Sequence, residues 1–246
     1  MKKESLIRQR LFANSILRQL KKTHTYDSLS RLLKHCEQEK ELGKSKEIPI
    51  PVLARYVKGH VLPSDERTKC IIKTYEELLK EEVRKNVSIN KQGHFNHLPL
   101  LYNTTLLQHV AAFVVSEFSY MDIDKILSTS TDGLPIAYAV GFELGVDVVY
   151  AKKKKEIGVQ SFLEQQVYVG AYNYSLYIPE GSLKKDEHVL IVDDAIRSQT
   201  TSLNLIEMCV KAKAIPVGVF TLISVNGGAK KLEKKVSFQV KNLIAL

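Results

Sequence analysis

The sequence lacks the features that would place it in a membrane or in a disulfide-rich secreted class. No apolar run approaches the roughly 20 residues that span a bilayer, and the N-terminal Met-Lys-Lys-Glu-Ser is too polar for a signal peptide. Three cysteines, Cys36, Cys70 and Cys209, are odd in number, far apart and in no CxxC spacing. We therefore expect buried free thiols rather than a disulfide framework or a zinc site. These absences predict a cytoplasmic protein without membrane contact.

Positive charge is concentrated at one end of the 246-residue chain. Residues 1–90 contain 20 Lys+Arg against 12 Asp+Glu, whereas residues 91–246 contain 16 against 15. This asymmetry favours a nucleic-acid-binding module followed by a neutral ligand-binding one, although a solvated helix face would give the same excess. We predict two domains, residues 1–88 and residues 89–246.

The stretch Val189 to Thr201 carries the clearest chemical pattern. Four apolar residues, Val189 to Val192, end in the adjacent carboxylates of Asp193 and Asp194. A hydroxyl-rich turn then leads into helical apolar spacing from Leu203 to Ala212. A strand, a loop and a helix N-terminus in this order form a place where an α/β sheet binds phosphate. Carboxylates that accept hydrogen bonds from ribose hydroxyls beside such a loop indicate a sugar phosphate.

A second phosphate-binding loop precedes this stretch. Lys125 to Ser128 reads as a strand, Thr129 to Gly133 as a Ser/Thr/Gly loop, and Leu134 to Leu144 as a helix that ends at Gly145. Val146 to Ala151 is the next strand, so that this order requires a parallel crossover within a covered sheet. The lysines at 152–155 follow that strand, and we expect one of them to face a diphosphate.

The N-terminal third predicts short helices. The first covers Ser5 to Leu20, and Thr25 is expected to cap the second. A third helix, Val52 to Lys58, begins after Pro51 and is followed by Gly59, and Ser64 is expected to cap a fourth. The third helix resembles the recognition helix of repressor-type helix-turn-helix domains. By that resemblance Leu53 and Tyr56 are core, and the DNA-contacting residues are Val52, Arg55 and Lys58. About a dozen residues between Leu33 and Ile48 depart from the motif, as an extended second helix or as an insertion.

The Val189 to Thr201 stretch resembles the phosphoribosyl-diphosphate (PRPP) motif of type I phosphoribosyltransferases. The resemblance implies an α/β fold, with an N-terminal all-α helix-turn-helix domain followed by a parallel-sheet domain of that family. It also implies that Asp193 and Asp194 bind the ribose, that Ser198 to Thr201 bind the 5-phosphate, and that Mg²⁺ accompanies PRPP. Family members normally have glycine at the position of Gln199, which permits positive φ and close backbone approach. The expected ligand-binding residues are Asp193, Asp194, Ala195, Ile196, Arg197, Ser198, Gln199, Thr200, Thr201, Thr131, Asp132, Gly133 and Lys153.

Two further segments complete these expectations. Residues 156–177 resemble the flap of that family and should form a hairpin. The polar and aromatic residues 90–103 read as a linker or cover, in which His94 and His97 lie in a surface loop rather than on a metal.

Together the two parts resemble archaeal transcription regulators that join a helix-turn-helix to a phosphoribosyltransferase-like sensor. We therefore expect a homodimer that binds operator DNA and senses PRPP or a nucleotide, without catalytic residues. The alternative is an active phosphoribosyltransferase for orotate or a purine, with the N-terminal helices as an accessory domain. A third possibility is an RNA-binding sensor of the same fold.

Overall fold

The computed structural model describes the backbone of residues 2–34, 37–38, 45–91, 95–169 and 172–246, and the side chains of these residues except 2–5, 37–38 and 45–46. The chain divides into two compact units, Met1–Glu81 and Glu82–Leu246. The predicted domain boundary at residue 88 stays a prediction. None of the described helices is both long and apolar enough to cross a membrane.

The first unit is helical. Its elements are α1 (Lys2–Lys21), α2 (Tyr26–Leu32), a short antiparallel pair of strands β1 (Glu37–Gln38) and β2 (Ser45–Lys46), α3 (Ile50–Val57) and α4 (Asp65–Lys85), whose last turn belongs to the second unit. At the start of α2, the hydroxyl of Thr25 accepts a hydrogen bond from the backbone N–H of Ser28. At the start of α4, the hydroxyl of Ser64 accepts one from the backbone N–H of Arg67. Both predicted caps are therefore confirmed. Because α2 ends at Leu32, the alternative of an extended second helix is wrong.

Helix α3 packs through the two residues that the sequence assigned to the core. Leu53 is fully buried and Tyr56 is 4% exposed. The Tyr56 hydroxyl accepts a hydrogen bond from Arg67 at 2.7 Å, and burial raises the pKa of Tyr56 despite the nearby arginines. After the helix, Gly59 has φ +76°, a conformation that glycine adopts without steric cost.

The second unit is built on a parallel sheet. Its helices are α5 (Leu98–Tyr102), α6 (Thr104–Glu117), α7 (Leu134–Leu144), α8 (Thr200–Lys211) and α9 (Gly228–Glu233). Its strands are β3 (Ser88–Ile89), β4 (Phe95–Asn96), β5 (Lys125–Thr129), β6 (Asp147–Ala151), β7 (Phe162–Val169), β8 (Tyr172–Pro179), β9 (His188–Ile196), β10 (Ile215–Ser224) and β11 (Gln239–Ala245). The five-stranded sheet has the order β11-β10-β9-β5-β6, and all four of its pairings are parallel. This confirms the predicted fold class of a parallel sheet after a helical N-terminal region.

The strand order fixes where a ligand can bind. The chain runs outward from β5 to β6, and then returns to the other side of β5 and continues outward from β9 to β10 and β11. The point between β5 and β9 is where the order reverses, and ligands of open α/β sheets bind at the carboxyl ends of the strands there. The antiparallel pair β7 and β8 forms the predicted hairpin and meets the sheet through a bridge between Lys152 and Tyr177.

The buried strand β9 anchors the core of this unit. Val189 to Val192 are fully buried, because helices cover both faces of a parallel sheet. Cys209 is a buried free thiol, as expected, and burial raises its pKa to about 12. Cys70 is disulfide-bonded, so the expectation of three free thiols is wrong for this residue. Separation along the chain does not determine separation in space.

Candidate functional site

The two adjacent carboxylates lie in the last part of β9, which extends to Ile196 rather than ending at Val192. Asp193 is 5% exposed. Its Oδ1 accepts two hydrogen bonds. One comes from the hydroxyl of Thr129, at the end of β5, at 3.2 Å, and the other comes from the backbone N–H of Asp194 at 3.1 Å. The side chain of Asp194 is 13% exposed and points toward the imidazole of His97. The reversal point of the sheet thus brings the ends of β5 and β9 together around a carboxylate pair.

The two carboxylates have opposite electrostatic environments. Burial raises the pKa of Asp193 well above its usual range, and the adjacent charge of Asp194 raises it further. Burial also opposes ionisation of Asp194, but the contact with His97 and the charge of Arg197 outweigh it and lower its pKa. Asp194 is therefore the carboxylate that remains charged, and Asp193 is the one that retains a proton more readily.

A three-residue loop, 197–199, joins β9 to α8. The helix begins at Thr200, inside the motif, and Leu203 donates its N–H to the carbonyl of Gln199 at 2.9 Å. The N–H groups of the first turn, from Thr200 to Ser202, have no acceptor within the helix and suit an anion. The hydroxyls of Ser198 and Thr201 lie beside them on the wall of the cavity described below.

Gln199 does not hold the conformation for which glycine was expected. Its φ is −73° and its ψ is −9°, which any residue adopts. The Gln199 side chain accepts a hydrogen bond from Lys235 at 3.2 Å, and it is not part of the cavity wall. The substitution is accommodated because the loop turns through ordinary helical dihedral angles.

The second loop, Thr129 to Gly133, connects β5 to α7. The N–H of Ser130 donates to the carbonyl of Ala151 at 3.0 Å, which ties the loop to the end of β6. The peptide bond between Ser130 and Thr131 is cis. Gly133 lies against Asp193 so closely that a Cβ would collide with the Oδ1 of that residue and lie 2.6 Å from Ser128 Oγ. Here glycine is required by close packing rather than by positive φ.

The lysines after β6 separate into different surroundings. Lys153 lines the same cavity as the carboxylates, and its Nζ lies 4.6 Å from the ring centre of Tyr174 on β8. Lys152 is paired with Glu156, and together with Lys154 it lines another pocket on the edge of the sheet. Of the four lysines, Lys153 is therefore the one that lines the cavity of the carboxylates, and its contact with a diphosphate stays a prediction.

A cavity of about 470 Å³ collects these elements. Nine of the thirteen expected ligand-binding residues line it: Thr131, Asp132, Lys153, Asp193, Asp194, Ala195, Arg197, Ser198 and Thr201. The other four are Gly133, Ile196, Gln199 and Thr200, and they do not line it. Ile196 is 1% exposed and packs in the hydrophobic core, since alternate residues of a strand face opposite sides. Thr129 and Ser130, which belong to the predicted phosphate-binding loop, also line the cavity, and so do Tyr174 and Leu176, which were not predicted.

The segment before α5 supplies residues that sequence reasoning missed. His97 is 4% exposed, and its Nε2 lies 2.7 Å from Asp194 Oδ2, so the prediction of a surface loop is wrong for this residue. The ring centres of Phe95 and His97 are 5.2 Å apart, and the Arg197 guanidinium lies 4.5 Å from the Phe95 ring centre. His94 lies outside the described residues. No local pattern reports a contact between positions so distant in the chain.

Of the residues expected to contact DNA, Val52 and Arg55 lie on α3 of the first unit, and Lys58 is the C-cap that follows it. Arg55 and Lys58 are exposed and Val52 is half-buried. These three residues are more exposed than Leu53 and Tyr56, which face the core from the same helix.

Comparison with known proteins identifies a family and several relatives. The phosphoribosyl transferase domain model matches residues 100–244. A hypoxanthine/guanine phosphoribosyltransferase from Methanothermococcus okinawensis is 28% identical over 176 residues, covering 68% of this chain and 93% of that protein. An adenine phosphoribosyltransferase from Brachyspira hyodysenteriae is 34% identical over 167 residues, covering 63% and 94%. The crystal structure of adenine phosphoribosyltransferase from Rhodothermus marinus has a TM-score of 0.62 at 19% identity, covering 69% of this chain and 99% of that chain, a likeness of fold alone.

These relatives overturn the expectation of a DNA-binding transcription regulator. Their names are those of enzymes that act on purine bases, and they match the alternative that the sequence left open. The DNA-contacting role of Val52, Arg55 and Lys58 depended on the regulator interpretation and is withdrawn with it. A basic helical surface is also what a solvated accessory unit presents.

Proposed function

The chain belongs to the phosphoribosyl transferase domain family, and we propose that it is a catalytic phosphoribosyltransferase that joins a purine base to the ribose 5-phosphate of PRPP and releases diphosphate. The observation that carries the proposal is the cavity at the reversal point of the sheet. It combines a carboxylate pair, two anion-binding loops and one lysine within about 470 Å³. Purine bases are favoured because the relatives over this region are named for them.

Each part of PRPP has a complementary group on the cavity wall. The 5-phosphate is assigned to the first turn of α8, with the hydroxyls of Ser198 and Thr201 and the positive end of the helix dipole. The ribose hydroxyls are assigned to Asp193 and Asp194. The diphosphate is assigned to the loop Thr129 to Gly133 and to Lys153, whose charge lowers the energy of the departing anion.

In the reaction a ring nitrogen of the base bonds to C1 of the ribose, the bond from C1 to the diphosphate oxygen breaks with both electrons going to that oxygen, and the N–H proton of the base passes to the departing diphosphate. The protein acts mainly by holding both reactants in line. Asp194, which stays ionised, places negative charge beside the ribose as positive charge develops on its ring. Asp193 fixes the floor of the site through its bonds to Thr129 and to the backbone.

The residues also fit the magnesium ion that such enzymes use. Asp132 is exposed and Asp194 is ionised, and carboxylate oxygens are the ligands that Mg²⁺ prefers. Asp193 fits less well, because its buried carboxyl resists ionisation. The ion, when bound with PRPP, supplies positive charge for the diphosphate oxygens.

The base must approach C1 from the face opposite the leaving diphosphate. The diphosphate loop lies on the β5 side of β9 and the 5-phosphate is assigned to Ser198 and Thr201, so we place the base toward Arg197. Arg197 there lines the cavity and lies against the ring of Phe95. An aromatic ring and a planar guanidinium are surfaces on which a purine stacks.

The test is a steady-state assay with PRPP and, in turn, adenine, hypoxanthine, guanine, xanthine and orotate. We expect turnover on the order of 1 to 100 per second with at least one purine. Asp194→Asn should lower kcat/KM by about 10- to 100-fold or more, since it removes a charge that acts in the transition state. Asp186→Asn, an exposed aspartate at a turn before β9, is the control and should leave kcat/KM unchanged. Absence of turnover with all five bases by folded protein would refute the proposal.

A further inference from the structure

Three donor atoms meet beside the carboxylate pair. One ligand atom from each of His97, Asp132 and Asp194 lies within 4.8 Å of the others. His97 Nε2 is fully buried and makes no hydrogen bond of acceptable alignment with the described residues, although it lies 2.7 Å from Asp194 Oδ2. A buried polar nitrogen without an aligned partner is costly. Its placement therefore points to a ligand between the imidazole and the carboxylates.

The distances suit two neighbouring ligands of one metal ion. Imidazole nitrogens and carboxylate oxygens bind transition ions at about 2.0 to 2.2 Å. Two such ligands at right angles are about 3.0 Å apart, and a separation of 2.7 Å corresponds to an angle of about 80°. Asp132 is exposed, so its side chain can rotate to complete the group. Water would occupy the remaining positions.

The donor set selects the class of ion. An imidazole ligand favours Zn²⁺, Co²⁺ and Ni²⁺, whereas Mg²⁺ prefers oxygen atoms alone. We propose that His97, Asp132 and Asp194 form a site for a divalent transition-metal ion that binds in the absence of any substrate. This site differs from the magnesium site proposed above in two ways: its ion is bound by His97 as well as by the carboxylates, and its ion binds without a diphosphate.

Occupation of this site has a consequence for substrate binding. The ion takes the Asp194 carboxylate that the proposed function assigns to the ribose, so ion and PRPP compete. The competition rests on the proposed function, whereas binding of the ion alone does not.

The direct test is titration of the chelator-treated full chain with Co²⁺ by visible absorption and with Zn²⁺ by calorimetry. We expect saturable binding of one ion that weakens at least tenfold in His97→Ala, in His97→Gln and in Asp132→Asn. The matched control is His188→Ala, because His188 is exposed and lies 3.4 Å from Asp124 in another histidine–aspartate pair. That variant should bind like the original chain. No saturable binding, or equal affinity in the original chain and in folded His97→Gln, would overturn the site.

A second titration separates this inference from the proposed function. PRPP should weaken Zn²⁺ binding to the original chain, and Zn²⁺ should inhibit turnover competitively with PRPP. One outcome is that His97→Gln loses Zn²⁺ binding while PRPP does not weaken Zn²⁺ binding to the original chain. That outcome would support the metal site and count against the assignment of Asp194 to the ribose. Turnover that requires Asp194, in a protein that binds neither Zn²⁺ nor Co²⁺, would support the function and overturn the metal site.

Discussion

Replacing Gly133 with alanine tests whether close packing under the second loop holds Asp193 in place. Gly133 has φ −72° and ψ −20°, which alanine adopts without strain, so any effect is steric. The new Cβ would collide with Asp193 Oδ1 and lie 2.6 Å from Ser128 Oγ. Asp193 is 5% exposed and Ser128 is fully buried, so neither side chain can move aside freely. The carboxylate must shift, or the loop must rise.

The change in the free energy of unfolding that we expect for Gly133→Ala is the sum of two opposing effects. Overpacking of this kind costs about 1 to 3 kcal/mol, while replacing glycine reduces the entropy of the unfolded chain and stabilises by about 0.4 to 1 kcal/mol. We expect net destabilisation of about 1 to 2 kcal/mol and a fall in Tm of roughly 2 to 8 °C. Loss of one hydrogen bond between the protonated Asp193 and a ribose hydroxyl would cost about 0.5 to 1.5 kcal/mol, which is about 2- to 13-fold in PRPP affinity.

The assay pairs thermal unfolding with calorimetric titration of PRPP, and Gly145→Ala is the control. Gly145 ends the same helix at φ +71°, and a Cβ added there would meet none of the described atoms within 4 Å. Alanine at this position costs about 1 to 2 kcal/mol of backbone strain without touching the site. Gly133→Ala should lose PRPP affinity and Gly145→Ala should not. Wild-type PRPP affinity in Gly133→Ala, or equal losses in both variants, would refute the reasoning.

Three further substitutions probe separate features. Burial raises the pKa of Asp193 in the folded state, so the folded protein keeps a proton there that the unfolded chain releases. The protonated carboxyl therefore favours folding at low pH, and this stabilisation is lost as the pH rises from the pKa of Asp193 in the unfolded chain to its pKa in the folded protein. Asp193→Asn should therefore unfold at higher temperature than the original chain at pH 7, with a smaller difference at pH 4, while PRPP affinity falls; thermal scans at both pH values check this. Lys153→Met should raise the KM for PRPP about three- to tenfold, less so at high salt, whereas Lys185→Met should not, in steady-state assays at two ionic strengths. Gln199→Gly should lower the free energy of unfolding by about 0.4 to 1 kcal/mol and change PRPP affinity by less than threefold, as urea unfolding and calorimetry would show; a large gain in affinity would contradict the loop conformation described above.

Local patterns were enough to predict most of the second unit. Helix α7 begins and ends as expected, because Gly133 precedes it and Gly145 follows it in a left-handed conformation. The parallel crossover from β5 to β6 and the buried run of β9 were likewise readable from apolar spacing.

Contacts between distant residues were not readable in this way. His97 meets Asp194 across 97 positions, and nothing in its own surroundings in the sequence distinguishes it from a loop histidine. The effect of Gln199 could not be predicted for a different reason. A glycine at that position of a motif can be required for a positive φ or for close approach of the backbone, and the sequence does not show which of the two applies. The charge asymmetry misled the functional assignment, since excess charge describes a surface and not what that surface binds.

The position of Phe95 and His97 has a consequence for dividing the chain into working parts. Both residues precede residue 100, where the match to the family begins. A chain shortened to that boundary would keep all five strands of the sheet and both loops, yet it would leave Asp194 without its imidazole and Arg197 without its aromatic neighbour. The stretch that the family model matches is therefore smaller than the stretch that completes the pocket, and recombinant fragments or chimaeras should be cut before β3 rather than at residue 100.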